Sequence, residues 1–252
     1  MRTKLLVSAC AATIAAAFAT SAMAADPSGS IGAGYGYSDA NGGGGHLNDW
    51  NVDGSVYVPV ADAKWAVQID ANYHGLSASG GGGSLHTDNA SASVMWNQHW
   101  GRLGATIGTN ELGGSGSSTT FQNYGAFGVF YPSSQLTLAA KAGQLSGSGS
   151  HVDYYGGQVI GYATPNVALS ATVDNVHQSG SNVTNYGVAG EWQPTAQPWT
   201  ASLSYDNTKV FGSTLNTYGI RFKWYFGAGS NLAQRQREGA ETWATKQTAL
   251  RF

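Results

Sequence analysis

The residues best suited to chemistry in this chain are a histidine and a serine two positions apart. His177 and Ser179 close an alternating segment, with Asn182 and Asn185 behind them. Side chains two apart in a strand share a face, so the imidazole of His177 could take the proton of the Ser179 hydroxyl and make it a nucleophile. Gly- and Ser-rich connections also generate such pairs by composition alone, and the pair stands as a remote hydrolase reading beside the expectation of no enzyme. His46, His74, His86 and His151 lack the spacing of a helical or knuckle metal site, so no metal is expected. Gly32-Ala33-Gly34-Tyr35-Gly36 lies in a strand-like segment with no helix after it, which removes the phosphate-loop reading and leaves no cofactor. No basic stripe marks a nucleic-acid surface.

The elements that carry these residues alternate. Trp65, Val67, Ile69, Ala71 and Tyr73 interleave with Gln68, Asp70, Asn72 and His74. Trp199, Ala201, Leu203 and Tyr205 interleave with Thr200, Ser202, Ser204 and Asp206. Tyr218, Ile220, Phe222, Trp224 and Phe226 do the same with Gly219, Arg221, Lys223 and Tyr225. The segments at Trp50–Val58, Leu103–Gly108 and Val167–Asp174 share the pattern, and weaker versions fill most of the chain between. A period of two gives one apolar and one polar face. About twelve strands result, each near the ~9–11 residues of a tilted membrane strand. The segments around Phe127 and Gln158 do not settle which face is which. Turns after even strands are short, as at Gln98–Gly101 and Thr164–Asn166; those after odd strands, such as Gly42–Gly45, Gly80–Gly83 and Gly113–Ser118, read as longer loops.

Composition fits a barrel in lipid. Only 10% of residues are charged, with 36 Gly, 13 Tyr and 8 Trp, against about 25% charged in soluble domains. Past the amino terminus no apolar run reaches the ~18 residues of a spanning helix. Trp65, Trp96, Trp100, Tyr131, Trp192, Trp199 and Trp224 fall beside the short turns. Tyr35, Tyr37, Trp50, Tyr73, Tyr154, Tyr205 and Tyr218 fall near the longer loops, giving two aromatic belts. The chain begins with Arg2 and Lys4, an Ala-rich apolar stretch and Ala22-Met23-Ala24, the anatomy of a cleaved secretory signal over residues 1–24. Val7-Ser8-Ala9-Cys10 also fits the motif ahead of a lipidated cysteine, but cutting there would leave little apolar core for export. Residues 25–226 are then the transmembrane barrel and 227–252 a periplasmic, helical tail. The expected fold class is an all-β, antiparallel up-and-down barrel in the outer membrane.

Thr217-Tyr218-Gly219-Ile220-Arg221-Phe222-Lys223-Trp224 resembles the β-signal read by the bacterial barrel-assembly machinery, with Thr217, Gly219, Phe222 and Trp224 in the matching places. It lies on the last strand, where that family places it, although this chain continues to Phe252. On architecture the chain resembles the porin-like outer-membrane barrels of Gram-negative bacteria. The resemblance implies lipid and the assembly machinery as partners, and small solutes or ions as what passes. His177 and Ser179 also resemble the His-Ser-Asn set of the outer-membrane phospholipase, another twelve-stranded barrel. That family follows its Ser with Asn-Gly-Arg, where this chain has Gly180-Ser181-Asn182.

Parity sends Asp53, Asp70, Lys141, Asp174, Glu191, Asp206, Arg221 and Lys223 into the lumen. Carboxylates outnumber basic groups along the barrel, which reads as a passive channel with mild cation preference. The alternatives are charges that pair and fill a closed structural barrel, and a surface protein working through its loops. In the tail, Leu232, Ala233, Ala240, Trp243, Ala244 and Leu250 recur at helical spacing, with Ser230 as N-cap. Such a tail would lie on the inner leaflet, contact the cell wall, or fold back as a plug.

Overall fold

The computed structural model describes residues 26–40, 46–60, 63–78, 83–114, 116–147, 149–178, 181–210, 213–227 and 229–245. The expected signal at 1–24, Ser179 and Leu250 lie outside the described residues. Twelve strands follow one another: β1 (Ser28–Ala40), β2 (His46–Val60), β3 (Trp65–Ala78), β4 (Ser84–Gln98), β5 (Gly101–Gly114), β6 (Ser117–Ser133), β7 (Leu136–Gly147), β8 (Ser150–Thr164), β9 (Val167–Gln178), β10 (Ser181–Trp192), β11 (Trp199–Val210) and β12 (Ser213–Phe226). Each pairs antiparallel with its sequence neighbours, and β1 pairs with β12 from Gly29↔Phe226 to Ala40↔Leu215, so the sheet closes on itself. Closure satisfies every strand edge, which lipid demands. The fold is an up-and-down β-barrel with a short helix, α1 (Leu232–Glu238), after the last strand.

The outer surface explains why this barrel belongs in a membrane. Ile31, Ile107, Leu169, Val188 and Leu203 point outward, Leu203 with 67% of its surface bare. A continuous apolar girdle of that kind is stable only against hydrocarbon. No helix among the described residues is long and apolar enough to cross a membrane; the strands do the crossing. Aromatic rings flank the band. At the tail end, Trp65 pairs in register with Trp96 and Trp199 with Trp224. At the far end Trp50 stacks on Tyr73 at 4.7 Å and Tyr205 leans on Tyr218 at 5.2 Å.

Three expectations change. Strands run 12 to 17 residues, because pairing continues past the hydrocarbon band. Gly113 and Gly114, read as loop, are paired with Ser118 and Ser117. Tyr131 and Tyr154, assigned to the belts, turn inward: Tyr154 is buried and its hydroxyl bonds Asn123, while Tyr131 lies under Arg237. Phe127 and Gln158 also face the interior, Phe127 in a buried cluster and Gln158 lining the cavity. Their segments lacked a readable period because the inner wall is itself apolar there.

Candidate functional site: a lumen floored by the tail

The interior is built from inward-facing charges held in pairs, and glycine positions let those pairs form. Lys141 on β7 and Asp174 on β9 are 3.2 Å apart and nearly water-free. The strand between them presents Gly156, in register with both. A side chain there would collide with the Asp174 carboxylate. Arg221 on β12 and Asp53 on β2 pair in the same way across β1, over Gly32, whose Cβ would stand 2.8 Å from Asp53 Oδ1 and 3.0 Å from Arg221 Nη2. Gly187 gives Asp206 and Thr172 the same clearance across β10. Gly32 and Gly156 supply space for ion pairs that stride over a strand.

The remaining expected lumen charges are also engaged. Lys223 reaches Glu191 at 3.4 Å, and Glu191 accepts from Thr200 at 2.6 Å and from the Tyr225 hydroxyl at 3.2 Å. Buried Asp70 accepts from Ser55 at 2.6 Å and Gln68 at 2.9 Å. His74, on the polar face of the β3 alternation, is buried on the inner wall 2.6 Å from Asp49. The carboxylate surplus is largely elsewhere, since Asp39, Asp88 and Asp153 share the outward parity of Tyr37, Ala90 and Tyr155. Thr217 and Gly219 of the β-signal-like stretch face inward, with Thr217 bonded to Ser38 across the β1–β12 seam at 2.7 Å. Phe222 and Trp224 face outward.

The tail enters the barrel. Asn231, in place of Ser230, caps α1 by accepting from the Gln234 amide at 3.0 Å. The helix ends at Gly239, and the chain continues without helix through Thr245. The helical spacing of Ala240, Trp243 and Ala244 therefore has another cause: all three are buried with Tyr57, Ala66, Met95, Phe127 and Val129 of the inner wall. Leu232 packs on Tyr162, Ala168 and Tyr225. Polar anchors fix the segment. Arg102 donates to the carbonyls of Gly239 and Arg237. The Gln68 carboxamide bonds the Glu241 backbone on both edges, at 2.6 and 2.8 Å. Gln236 donates to Glu191 at 3.0 Å, and Arg237 donates to the carbonyls of Ser133 and Leu136. The Lys141 ammonium lies 4.2 Å from the centre of the Trp243 ring.

Above the tail a cavity of about 460 Å³ remains, lined by wall residues from every side and by Gln236, Thr242 and Trp243 below. No cluster of metal-ligating side chains forms among the described residues. His177 sits on the outer wall with Nδ1 2.5 Å from Asn182 Oδ1.

No family model matches this sequence, and no curated protein matches it. Solved structures do. The KdgM porin superimposes with a TM-score of 0.52 at 10% identity, covering 78% of this chain and 99% of that one. The translocator domain of the autotransporter NalP from Neisseria meningitidis gives 0.52 at 10%, covering 88% and 96%. The toluene transporter TodX of Pseudomonas putida gives 0.52 at 7%, covering 82% and 90%. The fold is that of a porin-like outer-membrane barrel. At such identities the likeness concerns architecture.

Proposed function

We propose that the chain is an outer-membrane barrel through which small solutes pass by diffusion, with its own C-terminal segment as a plug at the periplasmic mouth. One observation carries this reading: the interior holds a cavity of about 460 Å³ whose floor is the tail and whose walls are the inward faces of the strands. Residues 1–24 would direct export, β12 would be read by the barrel-assembly machinery, and the aromatic belts would seat the barrel in lipid. The mild cation preference has little behind it. Asp53, Asp174 and Glu191 each face a cation, and α1 adds Arg235 and Arg237.

A closed structural barrel is the second reading, favoured by the same ion pairs and by the tail. Liposome swelling separates the two. Vesicles carrying the chain ended at Phe226 are expected to swell in small neutral sugars several times faster than vesicles carrying the full chain. Equal, background-level swelling for both would leave the structural barrel. No enzymatic role is assigned to His177 or Ser179, and Ser179→Ala is expected to leave phospholipid hydrolysis at the level of empty vesicles.

A further inference from the structure

The cavity above the tail is two-faced. On β6–β10, Phe121, Leu145, Val152, Val176 and Val183 turn inward near the far end and form one apolar cluster with Tyr154. Leu145, Val152 and Val176 pack together with less than a tenth of their surface bare, and each still shows an edge to the cavity. The wall has been shaped to keep them. Tyr154 lies across Gly125 and Gly143, where any Cβ would strike its hydroxyl, and it donates to Asn123 at 3.1 Å. With five strands between them on either side of the twelve-stranded ring, the wall opposite β8 is β2. There the lining is polar: Asp49 bonded to His74, Asn51 and Asn72. The guanidinium in register with Asn51 across Gly34, on Arg221, is held by Asp53.

We infer that this cavity is a binding site for a small amphipathic solute, one ring or branched hydrocarbon with a hydroxyl or amine, entered from the far end. The apolar body rests on Leu145, Val152 and Val176, and the polar group donates to the Asp49–Asn51 wall. The volume falls within the ~300–1,000 Å³ of small-molecule sites, which combine an apolar lining with a few placed polar groups. An anionic solute would meet Asp49 and Asp53, with the basic partners already engaged. A fully hydroxylated sugar would leave the apolar wall unused. The inference rests on the reading of the lumen as a passage for small solutes, and names which solutes dwell there.

The probe is 2-phenylethanol, titrated calorimetrically into the full chain in micelles with an empty-micelle blank, beside glucose and benzoate. Saturable binding of 2-phenylethanol alone is expected. Val152→Thr with Val176→Thr keeps the shape and removes apolar surface, and should weaken binding roughly tenfold. Val173→Thr, on the lipid face, should leave it unchanged. In the unaltered chain, nuclear Overhauser contacts from the phenyl protons should reach the methyls of Leu145 and Val176, whether or not the double variant folds. Equal binding of glucose or benzoate, no binding, or contacts only to outward-facing methyls would overturn the inference. Swelling without 2-phenylethanol binding removes this solute class and keeps the passage; binding without swelling in the chain ended at Phe226 keeps the site and removes the passage.

Discussion

Replacing Trp243 with Ala should loosen the tail from the barrel by an amount the packing sets. Trp243 retains only 5% of its exposure and sits in a cluster with Ala240, Ala244, Phe127 and Val129. Truncating a buried Trp to Ala costs about 3–5 kcal/mol, and the range absorbs the contact with Lys141. The barrel itself is closed by strand pairing without the tail, so the cost falls on tail docking. At 1.4 kcal/mol per tenfold, the undocked population rises between about a hundredfold and a few thousandfold. Trypsin reads this population, because Arg235 is buried and Arg237 is tied to Ser133 and Leu136 while the tail is docked. Cleavage of an opened segment tracks its equilibrium population when opening and closing are fast. The Trp243→Ala chain, folded in micelles, should be cut by trypsin after Arg235 and Arg237 at least a hundredfold faster than the unaltered chain. A rate within threefold would refute the docking argument.

Other perturbations follow from the same contacts. Lys141→Met leaves Asp174 buried without its cation and should cost about 3–5 kcal/mol in urea unfolding, with Asp174→Asn beside it restoring much of the loss. Gly32→Val places a side chain between Asp53 and Arg221, and should lower the urea midpoint more than Ala33→Val, whose side chain points to lipid. Leu203→Arg should cost about 2–4 kcal/mol for folding into a bilayer, since it sets a cation against hydrocarbon; an indifferent folding free energy would deny that β11 presents Leu203 to lipid. Ion selectivity of the chain ended at Phe226 should lie near unity in a salt gradient, and strong cation selectivity would restore the charge-surplus reading.

Much of the barrel was legible because lipid imposes a rule the backbone cannot evade. On β11 every second residue from Trp199 to Tyr205 meets hydrocarbon, and the alternation follows. The rule weakens where the inner wall is also apolar. On β6, Phe127 and Val129 face inward against the tail, so both faces read alike and the parity is lost. Tyr131 and Tyr154 went to the belts because proximity to a turn says nothing about which face a ring takes. The lumen charges could be named, but their pairing could not, since it joins strands two apart around the ring. Nothing in the sequence marks Gly32 and Gly156, yet each is the floor beneath an ion pair. The tail misled differently. Gly239 ends its helix, and the buried spacing of Ala240, Trp243 and Ala244 answers to the barrel wall.

Photo-crosslinking tests most directly whether the tail occupies the lumen. A benzoylphenylalanine at position 243, irradiated in outer-membrane vesicles, should attach to inward-facing wall residues, Phe127 and Lys141 foremost, in peptides mapped by mass spectrometry. Crosslinks to lipid, to other proteins, or to outward-facing strand positions would place the tail outside the barrel and contradict the account.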